Sequence, residues 1–339
     1  MINQKPPITK RRPKVTVIGG GTGLPILLEG LKAANCEVTA IVTVADDGGS
    51  SGSLRNAVNT IPPGDIRNCL IALSDMKDIY KDIFQYRFGD EDKEFSGHAI
   101  GNLIIAAIAE MRGDVFSALR LLSYMMEVDG KVLPACEEPL ILQGHFADGT
   151  MIEGETAVVS HPDQIQHVTV RLANEDPTKP ARQPQAGREV VSAIMQADTV
   201  VLGPGSLFSS ILPNVAIEDI RKAILDTPAK VVYICNIMTQ LGETEHFSDA
   251  DHVCVINEHL GAKGIDTVLV NKTPVPYEFL ENASEKDYLV QITHDRKGLA
   301  EEEAQVIGCD FLNIEKSGVY HNQDKLVASI IDVMNNTAK

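Results

Sequence analysis

The apolar positions fall into two alternating registers. Lys14–Ile18 is a short β-rich run that stops at Gly19-Gly20-Gly21-Thr22-Gly23, and from Leu24 to Ala34 the apolar residues recur at helical spacing. That order predicts a strand, a glycine turn and a helix. Glu37–Val44 is a second β-branched run ending in Asp46-Asp47-Gly48-Gly49-Ser50-Ser51-Gly52. Together they make a βαβ unit, which implies an α/β protein with a parallel sheet. Helical stretches follow at Asp65–Leu73, Ile79–Phe88, Gly101–Ala109 and Val115–Met126. From Val132 to Leu172 the pattern changes to short alternating runs with turn signals, such as Leu140–Phe146 and Gln166–Leu172, and predicts an antiparallel β insertion. Asn174–Gly187, with its three prolines, reads as a loop returning to the main sheet. Further strands are expected at Thr199–Leu202, Lys230–Cys235, Asp251–Ile256 and Asp266–Val270, and a closing helix at Lys325–Met334. The expected organisation is a disordered basic tail (1–13), the first half of the core (14–131), a β-rich insertion and loop (132–187) and the second half of the core (188–339).

With 339 residues, 44% of them hydrophobic, the chain can bury one large core. Lys and Arg number 30 against 47 Asp and Glu, a formal charge of -17, which argues against nucleic acid or an anionic membrane as a partner. A phosphate ligand stays open, because backbone amides hold anions locally whatever the total charge. The six cysteines are scattered with no Cys-x-x-Cys pair, the usage of buried thiols in a reducing, cytoplasmic setting. No apolar run reaches the ~18 residues of a membrane span, and no apolar signal segment follows the basic residues Lys5, Lys10, Arg11, Arg12 and Lys14, so no membrane insertion is expected.

The chemistry concentrates in glycine-rich loops. A strand feeding a helix through Gly20, Gly21, Thr22 and Gly23 leaves backbone amides free to point at an anion, usually phosphate. It is not a Walker A loop, since no Gly-Lys-Ser/Thr follows. It also misses the dinucleotide fingerprint, since Leu24 stands where the third glycine belongs, which argues against a plain NAD-dependent dehydrogenase. A second cluster, with Asp46, Asp47, Gly48, Ser50 and Ser51, lies where a parallel sheet brings the end of strand two beside the first loop. Its aspartates could bond a ribose hydroxyl, hold Mg²⁺ against a phosphate or accept a proton; the ordinary alternative is an Asp-Gly turn with capping serines. Asp65, Arg67 and Asn68 sit at a helix start after Pro62-Pro63-Gly64, and His98 and Asn102 in Gly97-His98-Ala99-Ile100-Gly101-Asn102 have the same setting. Gly203, Pro204, Gly205 and Ser206 end a strand and open a helix, a second anion nest, so that two nests suit a diphosphate or two phosphorylated ligands. Asn236, just past another strand end, is a candidate for reading a base or sugar. Each of these is also compatible with a plain turn, cap or structural histidine. No nucleophile elbow and no metal-ligand spacing of His or Cys appears.

Taken together, Gly19-Gly-Gly-Thr-Gly, Asp46-Asp-Gly-Gly-Ser-Ser-Gly, Pro63-Gly-Asp-Ile-Arg-Asn, Gly97-His-Ala-Ile-Gly-Asn, Leu202-Gly-Pro-Gly-Ser and Cys235-Asn-Ile-Met-Thr-Gln-Leu-Gly-Glu-Thr resemble the bacterial gluconeogenesis factor (YvcK) family, within the 2-phospho-L-lactate transferase (CofD)-like superfamily. The resemblance runs from about Lys14 to Gly264. It implies a three-layer Rossmann-like fold, a mostly parallel sheet with a small antiparallel β insertion. It further implies a cytoplasmic protein that binds UDP-sugars such as UDP-N-acetylglucosamine, is required for normal cell shape on gluconeogenic carbon and regulates cell-wall precursor supply; a homodimer is common among such relatives. The transferase branch carries Asp-Leu-Asp-Thr where this chain has Asp65-Ile66-Arg67-Asn68, so a cation replaces one carboxylate of an Mg²⁺ site. Guanidinium binds phosphate oxygens directly, which favours a binding protein needing no cofactor over an Mg²⁺-dependent transferase with Asp46, Asp47 and Asp65 on the metal. Near the C-terminus relatives tend to read Arg-His-Asp where this chain has Tyr320-His321-Asn322, which weighs against ligand contacts from that segment.

Overall fold

A computed structural model of the chain describes residues 11–337 apart from 59, 90–94, 175–177, 283–287 and 317. In chain order the strands are β1 (Lys14–Gly19), β2 (Glu37–Val42), β3 (Lys131–Pro134), β4 (Leu140–Phe146), β5 (Met151–Glu153), β6 (Ile165–Leu172) and β7 (Thr199–Leu202). They continue with β8 (Lys230–Ile234), β9 (Met238–Gln240), β10 (Thr267–Asn271), β11 (Tyr288–Gln291), β12 (Gln305–Cys309), β13 (Leu312–Glu315) and β14 (Gly318–His321). Seven of them form one parallel sheet in the order β12-β10-β8-β7-β1-β2-β3. The chain runs outward from β1 to β3, then returns to lay β7 against the other side of β1. That reversal is the Rossmann switch point, and it falls between the two glycine loops.

The central strands read as near-continuous apolar runs because helices cover both faces of the sheet. Val17, Ile18, Ile41, Val200, Val201, Leu202, Val232 and Val268 are all buried. Helix α1 (Gly23–Ala33) turns Leu24, Leu27, Leu28 and Leu31 onto the sheet. Helices α2 (Gly49–Val58) and α3 (Gly64–Leu73) follow β2, and α4 (Asp78–Gln85), α5 (Ile100–Arg112) and α6 (Val115–Met125) lead to β3. The insertion is a three-stranded antiparallel sheet, β5-β4-β6, carrying the short helix α7 (Glu155–Val159).

Three expectations need correction. The insertion does not start at Val132: Lys131–Pro134 pairs in parallel with β2, Thr39 opposite Lys131, and is the edge strand of the main sheet. Asp251–Ile256 is not a strand but part of a helix, Asp249–Leu260. Ser248 and Asp251 form a reciprocal capping box at its start, and Val253, Ile256 and Leu260 recur at helical spacing, a signal stronger than the β propensity of the run. Of the expected tail, residues 1–10 lie outside the described residues, while Arg11 and Arg12 are tied into the fold. Arg11 forks onto Asp198 at 2.9 and 2.6 Å; Arg12 reaches Asp129 at 2.8 and 3.0 Å and the Cys36 carbonyl at 2.6 Å. Among the described residues no helix is long and apolar enough to cross a membrane.

Candidate functional site at the switch point

β1 and β7 are neighbours in register, Ile18 opposite Leu202, so the loops that follow them leave the sheet side by side. Their approach is close enough to require glycine. A Cβ on Gly20 would lie 2.8 Å from both Asp65 Oδ2 and Thr43 Cγ2, and one on Gly23 3.1 Å from Pro204 Cγ. Between the loops and the elements above them opens a cavity of about 390 Å³. Gly21, Thr22, Gly23 and Ile26 form one wall and Pro204, Gly205, Ser206, Ser209 and Ser210 another. Asn236, Met238, Gln240 and Glu155 add to it, and Tyr320, His321 and Gln323 close the far side.

The loop amides are what equip this cavity for an anion. Among the described residues the N–H groups of Thr22 and Gly23, and those of Gly205, Ser206 and Leu207, have no acceptor. The Gly21 N–H is taken instead by Asp65, whose Oδ2 accepts it at 2.6 Å. Beyond Ser206 the chain makes a π-helical turn, Leu207–Ile211, where Glu243 takes the Phe208 N–H at 3.2 Å and the Ser209 hydroxyl at 3.1 Å.

Carboxylates crowd the site and hold their protons tightly. Burial raises Asp65, with Asp46 adding repulsion, against the pull of the Gly21 N–H and Arg67. Glu155 is pushed up to about 9, first by burial and then by Asp46, with which it shares a hydrogen bond. Glu243, 4% exposed, is raised by burial to about 7 despite its bonds to Ser209 and Phe208. Burial takes His321 down to about 4, so its ring is neutral and Nε2–H donates to the Cys235 carbonyl at 3.1 Å. Among the described residues that line it there is no Lys or Arg.

The residues singled out from the sequence separate into two groups. Gly21, Thr22, Gly23, Pro204, Gly205, Ser206 and Asn236 line the cavity, with Gly20 and Gly203 buried just beneath. Arg67, Asn68, Asn102, Ser50 and His98 instead form a network of their own off that lining. Arg67 donates to Asn102 Oδ1 at 2.7 Å and Asn68 Oδ1 at 2.8 Å, Asn102 to Ser50 Oγ at 3.1 Å, and Ser50 Oγ lies 2.9 Å from His98 Nδ1. Burial and Arg87 lower the Arg67 pKa, while Asp65 opposes them. In the aspartate cluster, Asp46 accepts from its own turn at Gly48 N, 2.8 Å, and Ser51 Oγ accepts from Gly64 N, 3.2 Å. Asp47 holds the insertion, accepting Thr156 N at 3.0 Å and Thr156 Oγ1 at 2.8 Å. Sequence reasoning missed Glu155, Ser209, Ser210, Gln240 and Glu243. Ser209 and Ser210 lie three and four residues past Ser206, the spacing of a first helical turn, and were findable; Glu155 reaches the site only through the insertion. Tyr320 and His321 line the cavity despite the departure of that segment from its relatives' pattern, because the β13–β14 hairpin carries them over the loops.

Residues 15–312 match the family described as 2-phospho-L-lactate transferase CofD. The chain belongs to the CofD family. Within it the chain groups with the gluconeogenesis factors. It is 51% identical over 321 residues to a "Putative gluconeogenesis factor" of Lactococcus lactis, covering 95% of this chain and 97% of the relative. It is 42% identical over 325 residues to the gluconeogenesis factor of Listeria monocytogenes, covering 96% and 97%. A crystal structure from Bacillus halodurans, described as a member of the upf0052 family, superposes with a TM-score of 0.88 at 38% identity, covering 95% of this chain and 99% of that one.

Proposed function

We propose that this gluconeogenesis factor is a cytoplasmic binding protein for a nucleotide-sugar of the UDP-N-acetylglucosamine class, regulating cell-wall precursor supply and cell shape under gluconeogenic growth. The observation that carries the reading is the pair of unpartnered amide clusters, at Thr22–Gly23 and Gly205–Ser206, lining one cavity at the switch point. A diphosphate bridges two such clusters, while Asn236 and Gln240 offer amide groups to a base or sugar. Pairing of two copies belongs to the same reading and is checked by sedimentation.

The second reading, an Mg²⁺-dependent transferase, follows from the family description. Among the described residues no group of three or more His, Cys, Asp or Glu is arranged to hold a resident metal, so under this reading Mg²⁺ would come with the phosphates of the substrate. Asp46, Asp47 and Asp65 are each committed to a backbone amide, of Gly48, Thr156 and Gly21 in turn.

The test is calorimetric titration with UDP-N-acetylglucosamine, UDP, NAD and GTP, each with and without Mg²⁺. Metal-independent binding selective for the UDP-sugar, with no product, is expected. Metal-dependent GTP binding or turnover, without UDP-sugar binding, would replace this reading with the transferase. Deletion of the gene should cause shape defects on gluconeogenic carbon that are absent on glucose.

A further inference from the structure

The Gln240-Leu241-Gly242-Glu243 segment places a carboxylate directly behind the second phosphate loop, where a phosphate-binding site would ordinarily present a cation. Glu243 is 4% exposed and fixed by the Phe208 N–H and the Ser209 hydroxyl, in the turn that follows Ser206, whose own amide is among those unpartnered in the cavity and whose hydroxyl accepts from Gln240 Nε2 at 2.8 Å. The carboxylate thus holds the same turn whose first amides are offered to the ligand. Facing it are the Ser206 and Ser209 hydroxyls, the Phe208 and Ser209 amides and, across the cavity, the carboxyl of Glu155. Among the described residues the cavity lining supplies no Lys or Arg to offset it, and His321 is neutral.

Phosphate esters differ in how much charge they bring to such a place. In a diphosphate diester, with a nucleoside on one side and a sugar on the other, each phosphorus carries a single negative charge. A free nucleoside diphosphate ends in a monoester whose second ionisation, near pH ~6, adds another. Resting on the nucleotide-sugar reading above, we infer that Glu243 is a specificity-determining residue that selects diphosphate diesters over free nucleoside diphosphates by repelling the extra charge of a terminal phosphate. The neutral amides satisfy one charge per phosphate, whereas a second has to be placed against a buried carboxylate in a medium of reduced dielectric.

The test compares dissociation constants for UDP-N-acetylglucosamine and UDP, measured calorimetrically without metal, in the wild type and in Glu243→Gln and Glu243→Asp. At about pH 8, where Glu243 is ionised, the wild type is expected to prefer the diester. Glu243→Gln should shift the ratio of the two constants about tenfold in favour of UDP, the ratio being the readout whatever both affinities do, and Glu243→Asp should keep the preference. A second arm needs no variant: between about pH 8 and pH 7 UDP stays largely fully ionised while Glu243 begins to take up its proton, so the wild-type preference should narrow. If both ligands bind and the ratio is the same in wild type and Glu243→Gln, or does not change with pH, the inference is overturned while the nucleotide-sugar reading stands. If neither ligand binds, both fall together.

Discussion

Replacing Glu243 by Gln also tests the electrostatics of the site through the stability of the fold. Its carboxyl is raised from 4.5 to about 7, chiefly by burial. Between those values the folded state binds more protons than the unfolded chain. Stability is therefore fully present below about 4.5, declines as pH rises toward about 7, and is flat beyond it. At ~1.4 kcal/mol per pH unit the loss attributable to this residue is of order 3 kcal/mol. For a chain of 339 residues the unfolding entropy is roughly 0.7 kcal/mol per degree, so the loss corresponds to about 4 °C in Tm. Gln has the same shape and accepts one of the same bonds but cannot ionise, so this contribution to the slope disappears. Thermal unfolding by circular dichroism at about pH 5 and about pH 8 measures it: the wild type should lose about 4 °C more than Glu243→Gln over that interval. Parallel curves for the two proteins would refute the argument, because they would mean that Glu243 is ionised at no net cost inside the fold. Glu155, raised in the same direction, is held up in small part by Glu243, so the substitution eases it slightly and adds to the difference in the same sense.

Gly20→Ala should destabilise the fold by about 1–3 kcal/mol in urea titration, because its Cβ would meet Asp65 and Thr43 at 2.8 Å. The same change should weaken UDP-sugar binding by shifting Asp65 off the Gly21 amide. Asp47→Ala removes both bonds to Thr156 and should cost about 1–2 kcal/mol, with hydrogen exchange quickening in residues 151–159 before the main sheet. Ser248→Ala breaks the capping box of the Asp249–Leu260 helix and should cost about 1 kcal/mol by thermal melt while leaving ligand affinity unchanged.

The sheet was legible because buried parallel strands announce themselves: Val15–Ile18, Val38–Val42 and Thr199–Leu202 are apolar runs relieved only by a single threonine each, and they end in glycine or aspartate turns. The loops after β1 and β7 were legible for the same reason, since a glycine cluster at the end of such a run has few roles other than close approach or anion binding. Val253–Ile256 misled because Val-Cys-Val-Ile has strand propensity, and only the Ser248–Asp251 cap and Leu260 restore the helical phase. The edge strand at Lys131–Pro134 has four residues and too little pattern to distinguish it from the insertion that follows. The pocket's remaining walls were out of reach for a different reason. Glu155 and Tyr320 carry no local signal at all; their positions follow from how the insertion and the β13–β14 hairpin dock, which sequence spacing does not encode.

Because Gly21 and Leu326 bound the same cavity, a ligand of the kind proposed would be held by segments from nearly opposite ends of the chain. Gln323 Nε2 fastens them directly, donating to the Ile26 carbonyl, and Gly30 of α1 lies against Gln323 and Val327 of the last helix. Occupancy therefore reports long-range closure. A chain that has undocked its C-terminal hairpin and helix keeps much of its sheet yet sheds the ligand, and saturating ligand at ~100 times its Kd would oppose that undocking by about 2.7 kcal/mol. On the nucleotide-sugar reading proposed above, ligand supply would then slow proteolysis of the intact chain, and the protein's abundance as well as its occupancy would follow the ligand.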